Sequence, residues 1–239
     1  MTSVFAAKPT APMPEAKKKD HYENFAALAK VERKGKDYQM TVIDRKDPIS
    51  VIAIHGGLIE LGSSHFARRL AGSDKNLYLF EGVKTKHNQL LHLTSTRFDE
   101  PQALALVKKS SDCISIHGYK DSDASLCIGG LNTDLAKRMV KNLKDAKLKY
   151  EIIYPCEIFP GKEPDNIANL SQNKGVQLEL SSKLRDLFQQ HPEIETQTVA
   201  AIRTSFLSAP TTTVSSTTSS ASSATAVSTG TVTGTSLSR

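Results

Sequence analysis

Two apolar, β-branched runs in this chain each stop at a histidine followed by glycine: VIAIHGG at 51–57 and CISIHG at 113–118. Runs of this length and composition read as buried strands, and strands buried on both sides belong to a sheet covered on both faces. Each histidine then falls where a strand gives way to a loop, the place where open α/β sheets carry their ligand-binding groups. The rest of the chain agrees with such a sheet. Strand-like runs at about 38–43, 50–54, 77–81, 90–94, 113–116, 125–129, 150–154 and 176–180 are separated by helical patterns at 63–71, 101–110, 132–148 and 181–190. Gly72 closes the first of these helices, Pro101 opens the second, and Ser181 or Ser182 caps the last. The alternation predicts βαβ units: a single α/β domain with a mixed, mostly parallel sheet and helices on both faces. The runs LYLFE at 77–81 and LLHLT at 90–94 are close enough in sequence to pair antiparallel.

The two ends of the chain read differently. Residues 1–22 are rich in Pro, Ala and Lys, and 204–239 is a Ser/Thr tract; neither can bury enough apolar surface to fold, which leaves 23–203 as the folded domain. The 31 Lys and Arg against 25 Asp and Glu give a net charge of +6, which favours acidic partners in general. There is no Trp and no basic patch interleaved with aromatics, so nucleic acid is not expected as a partner. No apolar stretch reaches the roughly 18 to 20 residues of a membrane span, and the N-terminus lacks an apolar signal core. Cys113, Cys127 and Cys156 form no CxxC pair, and each sits in or beside a strand-like run, so buried free thiols are expected. These features together predict a soluble, cytoplasmic monomer in a reducing compartment. The sequon Asn169-Leu-Ser171 would matter only on a secretory route.

In a strand alternate side chains share a face, so Val51, Ala53 and His55 are expected to point one way, and Cys113 and Ser115 to share the face of His117. Gly56 and Gly57 permit a sharp loop that carries Glu60 back toward His55. Two histidines and a carboxylate at strand ends are the protein half of a catalytic zinc site, with the fourth position left to water. The competing reading makes each histidine a hydrogen-bonded structural residue; the doubling of the strand-His-Gly unit weighs against it. An oxyanion-hole reading of HGG fails because the chain has no G-x-S-x-G nucleophile elbow, and nothing marks a cysteine as a reactive thiolate. In GVQLELS, Glu179 interrupts Val176, Leu178 and Leu180 and shares a face with Gln177. On a solvated face it is ordinary; facing the histidines it would be tuned as a general acid/base. The pattern leaves both open.

Four stretches in order, HGGLIELGSSHFARRLAG, NLYLFEGVKTKHNQLLHLTSTRFDEP, ISIHGYKD and NKGVQLELS, resemble the poly-γ-glutamate hydrolases of phage origin and their bacterial and fungal relatives. The likeness spans roughly residues 25–190. It implies a mixed-sheet core similar to that of the zinc carboxypeptidases, one zinc ion held by His55, Glu60 and His117, and Glu179 as the base. One departure lies near His65, where the family pattern has an acidic residue; with Arg68 and Arg69 this segment is more cationic here. The implied chemistry is hydrolysis of γ-glutamyl amide bonds in an acidic polymer or peptide. Arg97 is the first candidate to clamp substrate carboxylates, followed by Arg68, Lys84 and Lys120, each of which reads equally as a solvated surface charge. His92 reads as a structural residue or a partner to the ligands. The alternatives are a carboxypeptidase-like amidase acting on another acyl amide, and a binding module on the same fold.

Overall fold

The computed structural model describes residues 20–206. Most of the expected N-terminal arm and nearly all of the Ser/Thr tail lie outside the described residues. Seven strands, β1 (Tyr38–Ile43), β2 (Ile49–Gly57), β3 (Asn76–Gly82), β4 (Asp112–Tyr119), β5 (Ser125–Gly130), β6 (Glu151–Ile153) and β7 (Gly175–Ser181), form one sheet in the order β1-β3-β2-β4-β7-β5-β6. β3, β2, β4 and β7 run parallel, β5 and β6 pair parallel to each other, and the β1–β3 and β5–β7 pairs are antiparallel. The α/β class, the single mixed sheet and its mainly parallel character are therefore as the sequence predicts.

Among the described residues six α-helices cover the sheet: α1 (Phe25–Val31), α2 (Ser63–Ala71), α3 (Pro101–Lys109), α4 (Thr133–Asp145), α5 (Ser182–Gln190) and α6 (Pro192–Thr204). Their starts have local causes. Pro101 sits in the first turn of α3 while the Glu100 carboxylate accepts from Ala103 N at 2.8 Å, and Ser181 Oγ accepts from Leu184 N at 3.0 Å to cap α5. One core layer joins Val51, Ala53, Ile114, Ile116, Val176 and Leu178 to Phe66 of α2, Met139 of α4, Phe188 of α5 and Ile202 of α6. The other joins Ile52, Ile54, Tyr78 and Phe80 to Leu28 of α1 and to Leu106 and Val107 of α3. Fully burying one such side chain contributes about 1.5–3 kcal/mol, so two filled layers hold the sheet from both sides.

Several expectations need correction. The run at 90–94 is not a strand but a 3-10 turn at Asn88–Leu91 followed by irregular chain. Both edges of β3 are already taken, by β1 and by β2, so Leu91 and Leu93 are buried against the second core layer instead of pairing. The free-thiol expectation is wrong for two of the three cysteines: Cys127 and Cys156 form a disulfide, and only Cys113 is free and buried. β6 runs beside β5 with Ile153 opposite Cys127, and the chain then continues along β5 so that Cys156 N donates to Ile128 O at 2.9 Å, with the two cysteine Cα atoms 5.1 Å apart. This removes the ground on which a reducing compartment was expected. α1 and α6 carried no clear helical signal, because they are short or rich in Thr and other β-branched residues of modest helix propensity. Asp20 and Tyr22, just inside the expected arm, are ordered: the Asp20 carboxylate is bonded and Tyr22 is buried. Asn169 is fully buried with its amide donating to Gly161 O and Glu163 O at 2.8 and 2.9 Å, so the folded chain does not present the sequon. Among the described residues no helix is long and apolar enough to cross a membrane.

Candidate metal centre

β2 is the point where the topology turns. From β2 the chain passes through α2, on one face, to β3; from β3 it passes through α3, on the opposite face, to β4 on the other side of β2. Such a reversal opens a crevice at the carboxyl ends of the strands. His55 ends β2, His117 stands near the end of β4, and Glu179 lies opposite His117 in the β4–β7 register. The sequence residues singled out for chemistry are thus brought to one edge of the sheet.

His55 arrives there by a route its sequence does not announce. Ala53 pairs with Leu79 and Gly56 with Glu81, so three steps on β2 match two on β3, an added residue of the kind that makes a β-bulge. Val51 and Ala53 face one core layer and Ile52 and Ile54 the other, yet His55 meets His117, whose strand-mate Cys113 lies in the layer of Ile52 and Ile54. The expectation that His55 shares the face of Val51 and Ala53 is therefore corrected: the bulge resets the alternation and aims the imidazole at its partner.

The donor atoms converge. His55 Nδ1 and His117 Nδ1 are 3.1 Å apart, Glu60 Oε1 lies 2.9 Å from His55 Nδ1, and Glu60 Oε2 lies 3.8 Å from His117 Nδ1. Glu60 N donates to His55 O at 2.9 Å, and Gly118 N donates to Glu60 Oε2 at 2.8 Å, so the loop after β2 curls back and fixes its carboxylate against β4. The far nitrogens are also held. His55 Nε2 donates to Leu93 O at 2.9 Å, and His117 Nε2 lies 2.8 Å from Ser115 Oγ. A carbonyl can only accept, so His55 carries its proton on Nε2 and turns Nδ1 toward the centre, the arrangement typical of a ligating histidine.

Electrostatics say what the centre lacks. Burial works to lower the His55 pKa, but the Glu60 carboxylate outweighs it and holds the pKa above the ordinary histidine value. Burial and the charge on His55 push His117 down to about 3. Burial would raise Glu60, yet His55 beside it keeps it below the usual carboxylate range. The carboxylate thus favours positive charge on His55, and the cluster disfavours a second one on His117. A divalent cation fits the same place: ligand atoms of a tetrahedral zinc with Zn–N of about 2.0–2.1 Å stand about 3.3 Å apart, close to the spacing of the two Nδ1 atoms.

His92 also has a donor atom within 4.8 Å of donors on His55 and Glu60. Its ring stacks on that of His55, with centroids 4.0 Å apart and planes at 25°, and its Nδ1 faces Asp20 Oδ1 at 3.0 Å. His55 and Glu60 thus have two imidazoles within reach as a third donor, His117 and His92, the second oriented by Asp20.

Glu179 is buried, and burial, reinforced by the nearby Glu60 charge, raises its pKa well above the usual carboxylate range in the metal-free protein. The basic residues divide. Lys84 Nζ is held by both oxygens of Glu32 at 2.7 and 2.9 Å, and Arg68 Nη2 by Glu81 at 2.8 Å, so both are committed to ion pairs. Arg97 and Lys120 are exposed, with no side-chain partner among the described residues. Sequence reasoning missed Arg185. Its guanidinium donates to Leu61 O, to Tyr119 O at 3.1 Å and to Ser181 O at 3.3 Å, tying the Glu60 loop to the ends of β4 and β7. A Cβ at Gly118 would stand 2.7 Å from Arg185 Nη1. The glycine after His117 was the one trace of this arginine in the sequence.

Comparison with known proteins places these features in company. The chain matches the poly-gamma-glutamate hydrolase family over residues 22–209. It is 38% identical over 167 residues to the UPF0714 protein YndL of Bacillus subtilis (strain 168), an alignment that covers 70% of this chain and 66% of YndL. Among solved structures it is similar to a bacteriophage poly-gamma-glutamate hydrolase, with 33% identity and a TM-score of 0.74 over 79% of this chain and 97% of that one. It is similar also to a zinc-free, apo form of YndL, with 32% identity and a TM-score of 0.72 over 79% of this chain and 100% of that one.

Proposed function

The chain belongs to the poly-gamma-glutamate hydrolase family, and on that premise we propose that it hydrolyses γ-glutamyl amide bonds in poly-γ-glutamate or a related acidic peptide. One zinc ion held by His55, Glu60 and His117 is the cofactor in this reading. The observation that carries it is the convergence of two Nδ1 atoms 3.1 Å apart with the Glu60 carboxylate, one strand away from a buried Glu179. The zinc-free form of YndL supports a metal in the same family.

Zinc bound there would supply Lewis acidity, polarising the scissile carbonyl and making a water acidic near neutral pH. The chain's own residues do the rest. Glu179 takes the proton from the attacking water and returns it to the leaving amine, a role that suits a carboxyl kept out of solvent beside a cation that offsets its raised pKa. Gly118 N and the Glu60 backbone hold the third ligand in place, and Arg185 keeps the loop closed on the strand ends. Arg97 and Lys120, exposed and without a side-chain partner among the described residues, are left free for carboxylates of an acidic chain.

The test is to incubate the purified protein with γ-linked and α-linked polyglutamate, with and without chelator, and to follow chain length. Chelator-sensitive shortening of the γ-linked polymer alone supports the proposal. A zinc-loaded protein that shortens neither polymer sinks the substrate assignment and leaves another acyl amide. Glu179→Gln is expected to keep zinc and lose turnover; full activity in that variant would remove Glu179 from the role of base.

A further inference from the structure

Glu179 is the inner end of a line of buried amides. Ala168 N donates to Asn166 Oδ1 at 3.1 Å, Asn166 Nδ2 donates to Gln177 Oε1 at 2.9 Å, and Gln177 Nε2 donates to Glu179 Oε1 at 2.9 Å. Asn166, Gln177 and Glu179 are all buried. Amide oxygen and nitrogen are hard to tell apart by shape alone, but here chemistry fixes each one. A backbone N–H can only donate, so the Asn166 oxygen must face Ala168. Its nitrogen must then face Gln177, whose oxygen turns to meet it, and only the Gln177 nitrogen is left to face the carboxylate. The polarity of the whole line is set at a backbone atom two side chains from the base.

Gln177 has little freedom to turn away. Gly161, at φ +57°, lies so close that a Cβ there would meet Gln177 Oε1 at 2.8 Å, and Gly129 is its register partner on β5. Glu179 Oε2 has no protein partner among the described residues, so it is left free while Oε1 is held. The same device recurs on the neighbouring strand. Ser115, two residues before His117 on β4, holds that imidazole, as Gln177, two residues before Glu179 on β7, holds the carboxylate.

We propose that Gln177 and Asn166 are positioning residues for the reaction, a relay of amide hydrogen bonds that presents the free oxygen of Glu179 to the attacking water. The inference rests on the assignment of Glu179 as base. Misplacing a reacting group by about 1 Å can cost on the order of 100-fold in rate, so a loosened carboxylate shows in kcat rather than in substrate binding.

The experiment is a double-mutant cycle on the zinc-loaded protein with γ-linked polyglutamate, together with zinc content and thermal melting of each variant. Gln177→Met keeps the shape and removes the donor. Asn166→Asp keeps the acceptor for Ala168 N but turns an oxygen toward Gln177, which must flip its amide and set its own oxygen against Glu179. Each single change is expected to lower kcat by about 10- to 100-fold, with KM and zinc content unchanged. In the Gln177→Met background Asn166→Asp is expected to add no further loss, because the link it reverses is already gone. Additive losses, an unchanged kcat in either single variant, or a loss that follows zinc content or melting temperature overturns the relay. Activity retained in Glu179→Gln would instead overturn the base assignment, and the relay with it, whereas an inactive Glu179→Gln beside a fully active Gln177→Met overturns the relay alone.

Discussion

His55 and His117 hold their Nδ1 atoms 3.1 Å apart in the protein interior, with one oxygen of Glu60 2.9 Å from the first. Burial works to lower the His55 pKa, but Glu60 raises it above the ordinary value, while burial and the His55 charge lower that of His117 to about 3. A zinc ion bound as proposed would compete with a proton on His55. Zinc binding is therefore expected at one ion per chain and to release a proton below the raised His55 pKa, read by titration calorimetry in buffers of different ionisation enthalpy. His55→Ala and His117→Ala are each expected to lose the binding; stoichiometric zinc in either variant removes that histidine from the ligand set.

In the metal-free protein His117 is expected to contribute acid sensitivity above the usual carboxylate range. Burial and the His55 charge push His117 down to about 3, against about 6.5 in an unfolded chain. Between those values the unfolded chain binds a proton that the folded chain refuses. The stability from this group is therefore present above about pH 6.5 and lost as pH falls through that range. Glu60, with its pKa lowered, adds a loss in the same direction further down, while the raised His55 contributes stability that fades only as pH rises. Glu179, its pKa raised by burial, works the other way, since the folded chain keeps a proton there that the unfolded chain loses, so the His117 contribution is read as a difference between variants. From pH 7 to pH 5, thermal melts in chelator are expected to lose more in the unmodified chain than in His117→Asn, and an equal change in the two would take the acid sensitivity away from His117.

Ser115 Oγ lies 2.8 Å from His117 Nε2, and both residues are buried. The matching contact of His55 is to a backbone carbonyl, Leu93 O, which no substitution removes. Losing an outer partner of a ligating histidine weakens metal binding by about 10- to 100-fold, and with one of two such contacts kept, Ser115→Ala is expected near the low end. Competition against a chelator of known affinity measures it. An unchanged zinc affinity would mean that β4 alone orients the imidazole.

The thiols give a reading independent of metal. With Cys127 joined to Cys156 and Cys113 buried, its thiol pKa pushed up by burial, the native protein is expected to resist alkylation. Unfolded without reductant it exposes one thiol, and with reductant three. Three alkylated cysteines in the unreduced, unfolded chain would show that the bridge does not form.

Much of this was legible in the sequence, and what was not has a common cause. The strand-His-Gly units marked His55 and His117 because composition and the change to glycine are local. The face of His55 was illegible because the bulge exists only as a mismatch between β2 and β3. The Cys127–Cys156 bridge depends on β6 choosing β5 as its neighbour, and the fate of the 90–94 run depends on β3 having no edge left. Arg185 works through backbone carbonyls from three separate segments, and carbonyls leave no mark in a sequence.

Gly57 tests how much the centre depends on the loop that returns Glu60. It adopts φ +64°, and a Cβ there would stand 2.4 Å from Gly82 O, the same carbonyl that accepts from Leu58 N at 2.9 Å. Gly62, five residues on, also has positive φ, +92°, but its Cβ would meet only the Arg185 side chain at 3.4 Å, an ordinary contact. Alanine at either site incurs left-handed strain of about 1–2 kcal/mol. Only at Gly57 must β2 and β3 also part where the loop begins, so Gly57→Ala is expected to cost more stability than Gly62→Ala and to weaken zinc binding as Glu60 is drawn out of line. Denaturant melts and zinc affinity of the two variants decide it, since equal losses in both would show that backbone strain, and not the close approach of β3, governs the loop.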